Sequence, residues 1–173
     1  MIRSFKGKTP HIHPTAFISE TAYIVGDVSI GENASVWPGA FIRGDFGSIS
    51  IGKNTAIEDS CIVHSWDCVI GDNVLVGHGA VVHCKSIGSG TMVGIKAVLL
   101  QGAEIGENCF IAAGSLVTPN TKIPPRSLVM GSPAKVKEEL SEDKLSQVIL
   151  GNQAYVNLAR EYRQHGLGHT GNA

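Results

Sequence analysis

The chain has 173 residues and a formal net charge of −1, with only 17% charged residues and 21 glycines. Lysine and arginine are scattered, which leaves no basic footprint for nucleic acid, and no apolar run approaches the ~18 residues needed to span a membrane. The length suffices for one domain with a real core, and low charge with abundant glycine describes a fold that buries much and turns often.

The N-terminal segment MIRSFKGKTPHIHP lacks the apolar stretch of a signal peptide, so a cytoplasmic location is expected. Residues 18–129 then carry a period of six. An aliphatic recurs at Ile18, Ile24, Ile30, Val36 and Ile42, and resumes after FGSIS with Ile51, Ile57 and Val63. One residue is inserted before Ile70, Val76 and Val82; one is dropped before Ile87, Val93, Leu99, Ile105, Ile111, Val117, Ile123 and Val129. Two places before most of these lies a small residue, and glycine often follows directly, as in IGEN, IGKN and IGDN. A hexad fits neither the 3.6-residue helix nor a hairpin meander. It fits short strands joined at corners in a parallel β-helix, with aliphatics inside, small residues at the corners and glycines adopting corner backbone angles. Three hexads close a turn of ~18 residues stacked at the usual strand spacing of ~4.8 Å, so about six turns are expected. The four cysteines, Cys61, Cys68, Cys84 and Cys109, form no CxxC pair. They read as small reduced thiols within the strands.

The β-helix is expected over 1–133. From 134 to 166 the period gives way to a helical stripe with Leu145, Val148, Ile149, Tyr155, Val156, Ala159 and Tyr162, which needs a β-helix flank to cover it. Ser141 is a suitable N-cap, with Glu142 and Asp143 at the positive end, while Gly151 marks a place for a kink. Residues 167–173 read as a disordered tail.

Three histidines interrupt the apolar ladder in CIVHSWDCVIGDNVLVGHGAVVH, residues 61–83. His64 and His83 follow aliphatics three hexads apart, so they project from one face in adjacent coils. His78 follows Gly77 on the preceding face and points across a corner, so one chain does not readily bring all three to one ion. A neighbouring subunit that presents its His78 to this subunit's His64 and His83 completes a three-imidazole site, and a cyclic trimer closes the arrangement.

HPTAFI, FIRGDFGSISIG, IGDNVLVGHGAVVHCKSIG and VMGSPAK together resemble the γ-class carbonic anhydrase-like family of hexapeptide-repeat proteins. The resemblance covers nearly the whole chain. It implies a left-handed β-helix, a homotrimer and reversible hydration of CO2 to bicarbonate by metal-bound hydroxide. It also implies that His64, His78 and His83 hold Zn2+, with Fe2+ or Co2+ as alternatives. Arg43 and Asp45 match the family's interface pair, and Tyr155 and Asn157 match helix residues near its active site. Glu58 stands where the family carries a glutamine; a carboxylate only accepts where an amide also donates, so Glu58 reads either as a base at the centre or as a surface acid. The segment after His64 is short, with Asp67 its one carboxylate, and no acidic loop is available to shuttle protons. Two other readings remain open: a CoA-dependent acyltransferase using one of the ladder histidines or His11, His13 or His165 as base, and a non-catalytic metal-binding or scaffold protein.

Overall fold

A computed structural model describes residues 1–168. The chain forms a left-handed parallel β-helix of about seven turns followed by a single C-terminal helix. All nineteen hexad aliphatics are buried, none more than 6% exposed. They stack in columns, such as Ile57, Val76, Val93, Ile111 and Val129, each in parallel register with the next. The coil beyond the expected six lies before Ile18, where Ile2–Arg3 pairs with Ile24–Val25 and His11–Ile12 pairs with Ser29–Ile30. Ile12 continues the hexad six residues before Ile18 and Ile2 falls out of phase, so a count begun at Ile18 misses this coil. All four cysteines are free and buried.

The glycines after the aliphatics serve a different purpose from the one expected. Gly52, Gly88 and their counterparts do not have positive φ; that conformation falls to Asn33, Asn54, Asn73 and Asn108, with φ of 52–54°. The glycines instead permit close approach of successive coils: a Cβ on Gly52 would lie 2.5 Å from the Gly71 backbone, and one on Gly88 would lie 2.5 Å from that of Gly106.

Three faces result. Two are joined by the long strands Tyr23–Ile30 and Phe41–Ile51, which bend across a shared corner. Between Gly44 and Ile49 the second strand holds three more residues than its partner does between Gly26 and Val28, so Asp45–Ser48 bulges outward. This bulge is the FGSIS interruption in the period.

The third face ends in a hairpin. Residues 134–139, expected to belong with the helix, form strand Ala134–Glu139, antiparallel to Ser127–Gly131. The helix spans Glu142–Gln164 and is capped by Ser141, whose side chain accepts from the Lys144 amide. It is continuous through Gly151, which faces the Leu75 side chain. Val148, Asn152, Val156 and Ala159 are buried on the third face, whereas Ile149, expected on the apolar stripe, is 56% exposed. Asn152 anchors one half of the helix by donating to the carbonyls of Asn54 (3.0 Å) and Val74 (3.2 Å). An aromatic cluster anchors the other half: Trp37 packs on Phe17, Tyr155 and Tyr162 at centroid distances of 5.1–5.4 Å. The tail expected at 167–173 lies outside the described residues from 169 onward; the Leu167 amide still donates to the Tyr162 carbonyl. Among the described residues no helix is long and apolar enough to cross a membrane.

Leu99, fully buried between Val82 and Val117, tests the aliphatic column. Leu99→Ala lowers stability by about 2–5 kcal/mol, read as a lower denaturant midpoint at an unchanged slope.

Candidate metal centre

The stacking register assembles one half of the centre. Arg43 lies beside His64 in adjacent strands, and Val63 beside Val82, so His64 and His83 follow on the same edge. Their rings stack at a centroid distance of 5.6 Å and an angle of 30°. His83 donates through Nδ1 to the His64 carbonyl, which fixes the tautomer and leaves Nε2 with a free lone pair. His64 Nε2 lies 3.1 Å from Asp45 Oδ1 and 3.3 Å from Arg43 Nη2, and Arg43 pairs with Asp45 at 3.8 Å. The bulge in the long strand brings Asp45 there.

The other half sits one face earlier. His78 donates through Nδ1 to Asp59 Oδ2 at 2.9 Å, and its Nε2 faces Glu58 Oε2 at 3.0 Å and the Tyr155 hydroxyl at 3.3 Å. Glu58 is 3% exposed and its Oε2 also accepts from the His78 backbone amide at 2.9 Å. Burial pushes the Glu58 carboxyl above its ordinary value, against the opposing pull of His78. Burial and the neighbouring Glu58 charge push the Tyr155 phenol up to about 12. Tyr155 is therefore a hydrogen-bond donor at neutral pH. Asn157 is not brought to this cluster; it is exposed and accepts from Gln153 Nε2 along the helix.

The two halves do not meet within one chain: among the described residues no three His, Cys, Asp or Glu side chains converge to hold an ion. The donor set nonetheless suits a divalent metal. Two of the imidazoles, His78 and His83, are held through Nδ1 by a carboxylate or carbonyl, the arrangement that aims Nε2 at a cation. Asp59 escaped the sequence reading, although it precedes His78 by the same 19 residues that separate His64 from His83. Phe46 and Trp66 also escaped it. Phe46 packs at a tilt against both His64 and Trp66, at centroid distances of 5.4 and 5.3 Å, and Phe46 and Trp66 are 63% and 57% exposed. Both lie in the segments that depart from the hexad period, where repeat counting assigns no position.

The two faces free of the helix differ sharply. One carries Tyr23, Phe41, Ile62, Val81, Val98 and Leu116 in continuous outward register, with Phe41 48% and Ile62 44% exposed. The other carries Ser29, Ser50, Val69, Ser86, Glu104 and Lys122. His78 precedes the apolar face and His64 and His83 follow it, so the two half-sites lie at its opposite edges.

The chain is similar to several known proteins. Residues 9–44 and 85–119 match the family described as bacterial transferase hexapeptide (six repeats). Carnitine operon protein CaiE of Escherichia coli K12 is 37% identical over 90% of this chain and 81% of its own. The mitochondrial gamma carbonic anhydrase 2 of Arabidopsis thaliana is 36% identical over 88% of this chain and 58% of its own. The crystal structure of a hexapeptide transferase family protein from Anaplasma phagocytophilum superposes with a TM-score of 0.91 at 36% identity, covering 94% of this chain and 98% of that one.

The raised Glu58 carboxyl sets a pH dependence. Its folded pKa lies above the unfolded value, so the stability it contributes is full below the ordinary glutamate range and is lost as pH rises through the folded value. Glu58→Gln is uncharged throughout and escapes that loss. In metal-free protein the melting temperature of the variant, relative to wild type, rises from about pH 4 to about pH 7.

Proposed function

The chain belongs to the γ-carbonic anhydrase-like family of hexapeptide-repeat proteins, and from that membership we propose that it is a metal-dependent carbonate dehydratase, hydrating CO2 reversibly at centres shared within a homotrimer. The observation that carries this reading is the placement of two complementary half-sites at opposite edges of one uncovered apolar face. Contact through that face sets the exit edge of one subunit against the entry edge of the next. Such a contact is not self-complementary, so it builds a ring where the rotation closes, and a threefold rotation gives the trimer.

His64 and His83 of one subunit and His78 of its neighbour would hold Zn2+, or Fe2+ or Co2+ in its place. Such a metal supplies the nucleophile for CO2 by acidifying water near neutral pH. The protein's residues set the surroundings of that reaction. The His64 carbonyl and the Asp59 carboxylate keep His83 and His78 in the tautomer with Nε2 free. Glu58, a carboxylate at the centre with no acidic loop nearby, accepts the proton that hydration releases. Tyr155, held protonated, donates to Glu58 and orients it. Arg43 and Asp45 sit at the edge where subunits meet, and Phe46 and Trp66 give the His64 side an apolar rim.

The test is metal analysis with stopped-flow CO2 hydration on anaerobically purified protein. One divalent ion per chain is expected, lost in each of His64→Ala, His78→Ala and His83→Ala, together with hydration activity in the loaded protein. The likeness to a hexapeptide transferase family protein favours a second reading, group transfer, of which acyl transfer from CoA is the form expected from the sequence. Metal-free protein that acetylates an acceptor would establish that reading and overturn this one. Bound metal without hydration would leave a scaffold or metal-binding role.

Assembly is tested separately. Ile62→Glu, on the apolar face, shifts the mass measured by light scattering from trimer to monomer and releases the metal. Ser50→Glu, on the polar face, does neither.

A further inference from the structure

We propose that Glu58 is itself a protein ligand of the metal, so that each centre takes two donors from each of two subunits: Glu58 and His78 from one, His64 and His83 from its neighbour. The inference rests on the metal-centre reading above and concerns what this chain's carboxylate does within it.

The first argument is the pairing of lone pairs. His78 commits its Nδ1 proton to Asp59 at 2.9 Å, so in the neutral ring Nε2 carries a lone pair. That lone pair faces Glu58 Oε2 at 3.0 Å. Two electron-rich atoms at this separation repel unless a proton or a metal ion lies between them, and a divalent ion held by both donors relieves the repulsion while leaving the carboxylate ionised. The second argument is burial. The Glu58 side chain is 5% exposed, and among the described residues its one ion-pair partner is His78. A buried carboxylate without a lysine or arginine, with Asp59 adding negative charge on the far side of the same ring, is costly to maintain. A divalent ion offsets that cost directly.

The third argument is geometric. Neighbouring donors on a tetrahedral ion with bonds of ~2.0–2.1 Å lie about 3.3 Å apart, close to the observed separation of Nε2 and Oε2. Glu58 is also held in place, because Oε2 accepts from the His78 amide at 2.9 Å. A glutamine at this position would preserve that hydrogen bond while removing the charge. The consequence is selectivity. Three imidazoles and a carboxylate fill a tetrahedral zinc, whereas an ion accepting five or six donors, such as Fe2+ or Co2+, keeps places for water and substrate. Ligation through one carboxylate oxygen leaves the other free to take up a proton.

The experiment titrates Co2+ into metal-free wild type and Glu58→Gln, both as full chains in their native assembly. Affinity is read by competition with a chelator, and coordination by the visible absorption of the bound cobalt. Removing the donor is expected to weaken binding about 10–100-fold and to shift the visible bands, with circular dichroism and assembly mass unchanged. Glu58→Asp, which keeps the charge but shortens the reach, restores part of the affinity. Equal affinity and an unchanged spectrum in wild type and Glu58→Gln overturn ligation by Glu58 and leave the three-histidine centre standing. A wild type that takes up no cobalt overturns the metal-centre reading, and this inference with it.

Discussion

Parallel hydrogen bonding between successive coils is the constraint on which the rest of the molecule depends. Each coil lies one strand spacing from the next, so residues 17 to 22 apart in sequence become neighbours in space. Arg43, His64 and His83 share an edge for this reason, and so do Asp59 and His78. The same spacing leaves no room for a Cβ after the inward aliphatic on several rungs, which is why Gly52 and Gly88 stand there. The scaffold positions its functional side chains through backbone pairing, and buried columns of aliphatics keep that pairing rigid.

A prism has three faces, and this chain treats each differently. The helix and the terminal hairpin cover one face, serine and charged residues solvate the second, and the third presents an outward ladder of aromatic and aliphatic residues. Exposed apolar ladders of that extent mark interaction surfaces. The helix serves more than coverage. Asn152 at one end and the aromatic cluster at the other fix its rotation, and Tyr155 is thereby held over His78. Packing on the helix-covered face thus reaches the edge of the apolar one.

The hexad made the architecture and the histidine register legible, because a repeat converts sequence spacing directly into spatial position. Where the repeat lapses, so did the reading. Ile2–Arg3 and His11–Ile12 form a further coil in which Ile12 packs on the core in hexad phase while Ile2 is out of phase, so a single aliphatic announces it. Strand Ala134–Glu139 alternates Ala, Lys, Val and Lys, but Val136 is 45% exposed, so its alternation marks no core face. Asn152 took the inward place assigned to Ile149 because its amide donates to the Asn54 carbonyl and adds a second bond to that of Val74, a contact that no hydropathy pattern encodes. Asp59 was within reach of the same register count that found the histidines. Phe46 and Trp66 were not, since they occupy the inserted residues that the count skips.

Glu58 joins these features. A buried carboxylate beside Asp59, with His78 as its one basic partner and no lysine or arginine, is unfavourable in an isolated chain, and the two half-sites remain apart in that chain. Each defect is relieved by the same event. When subunits meet through the apolar face, a cation can be shared across the seam, the carboxylate gains a counter-charge and His78 Nε2 gains a partner. Ligands drawn from two subunits make metal affinity and assembly reciprocal: whatever binds only the assembled state stabilises it by mass action. In the assembly proposed above, the acid that destabilises the isolated chain would favour the trimer, and electrostatic cost in one state would become selectivity for the other.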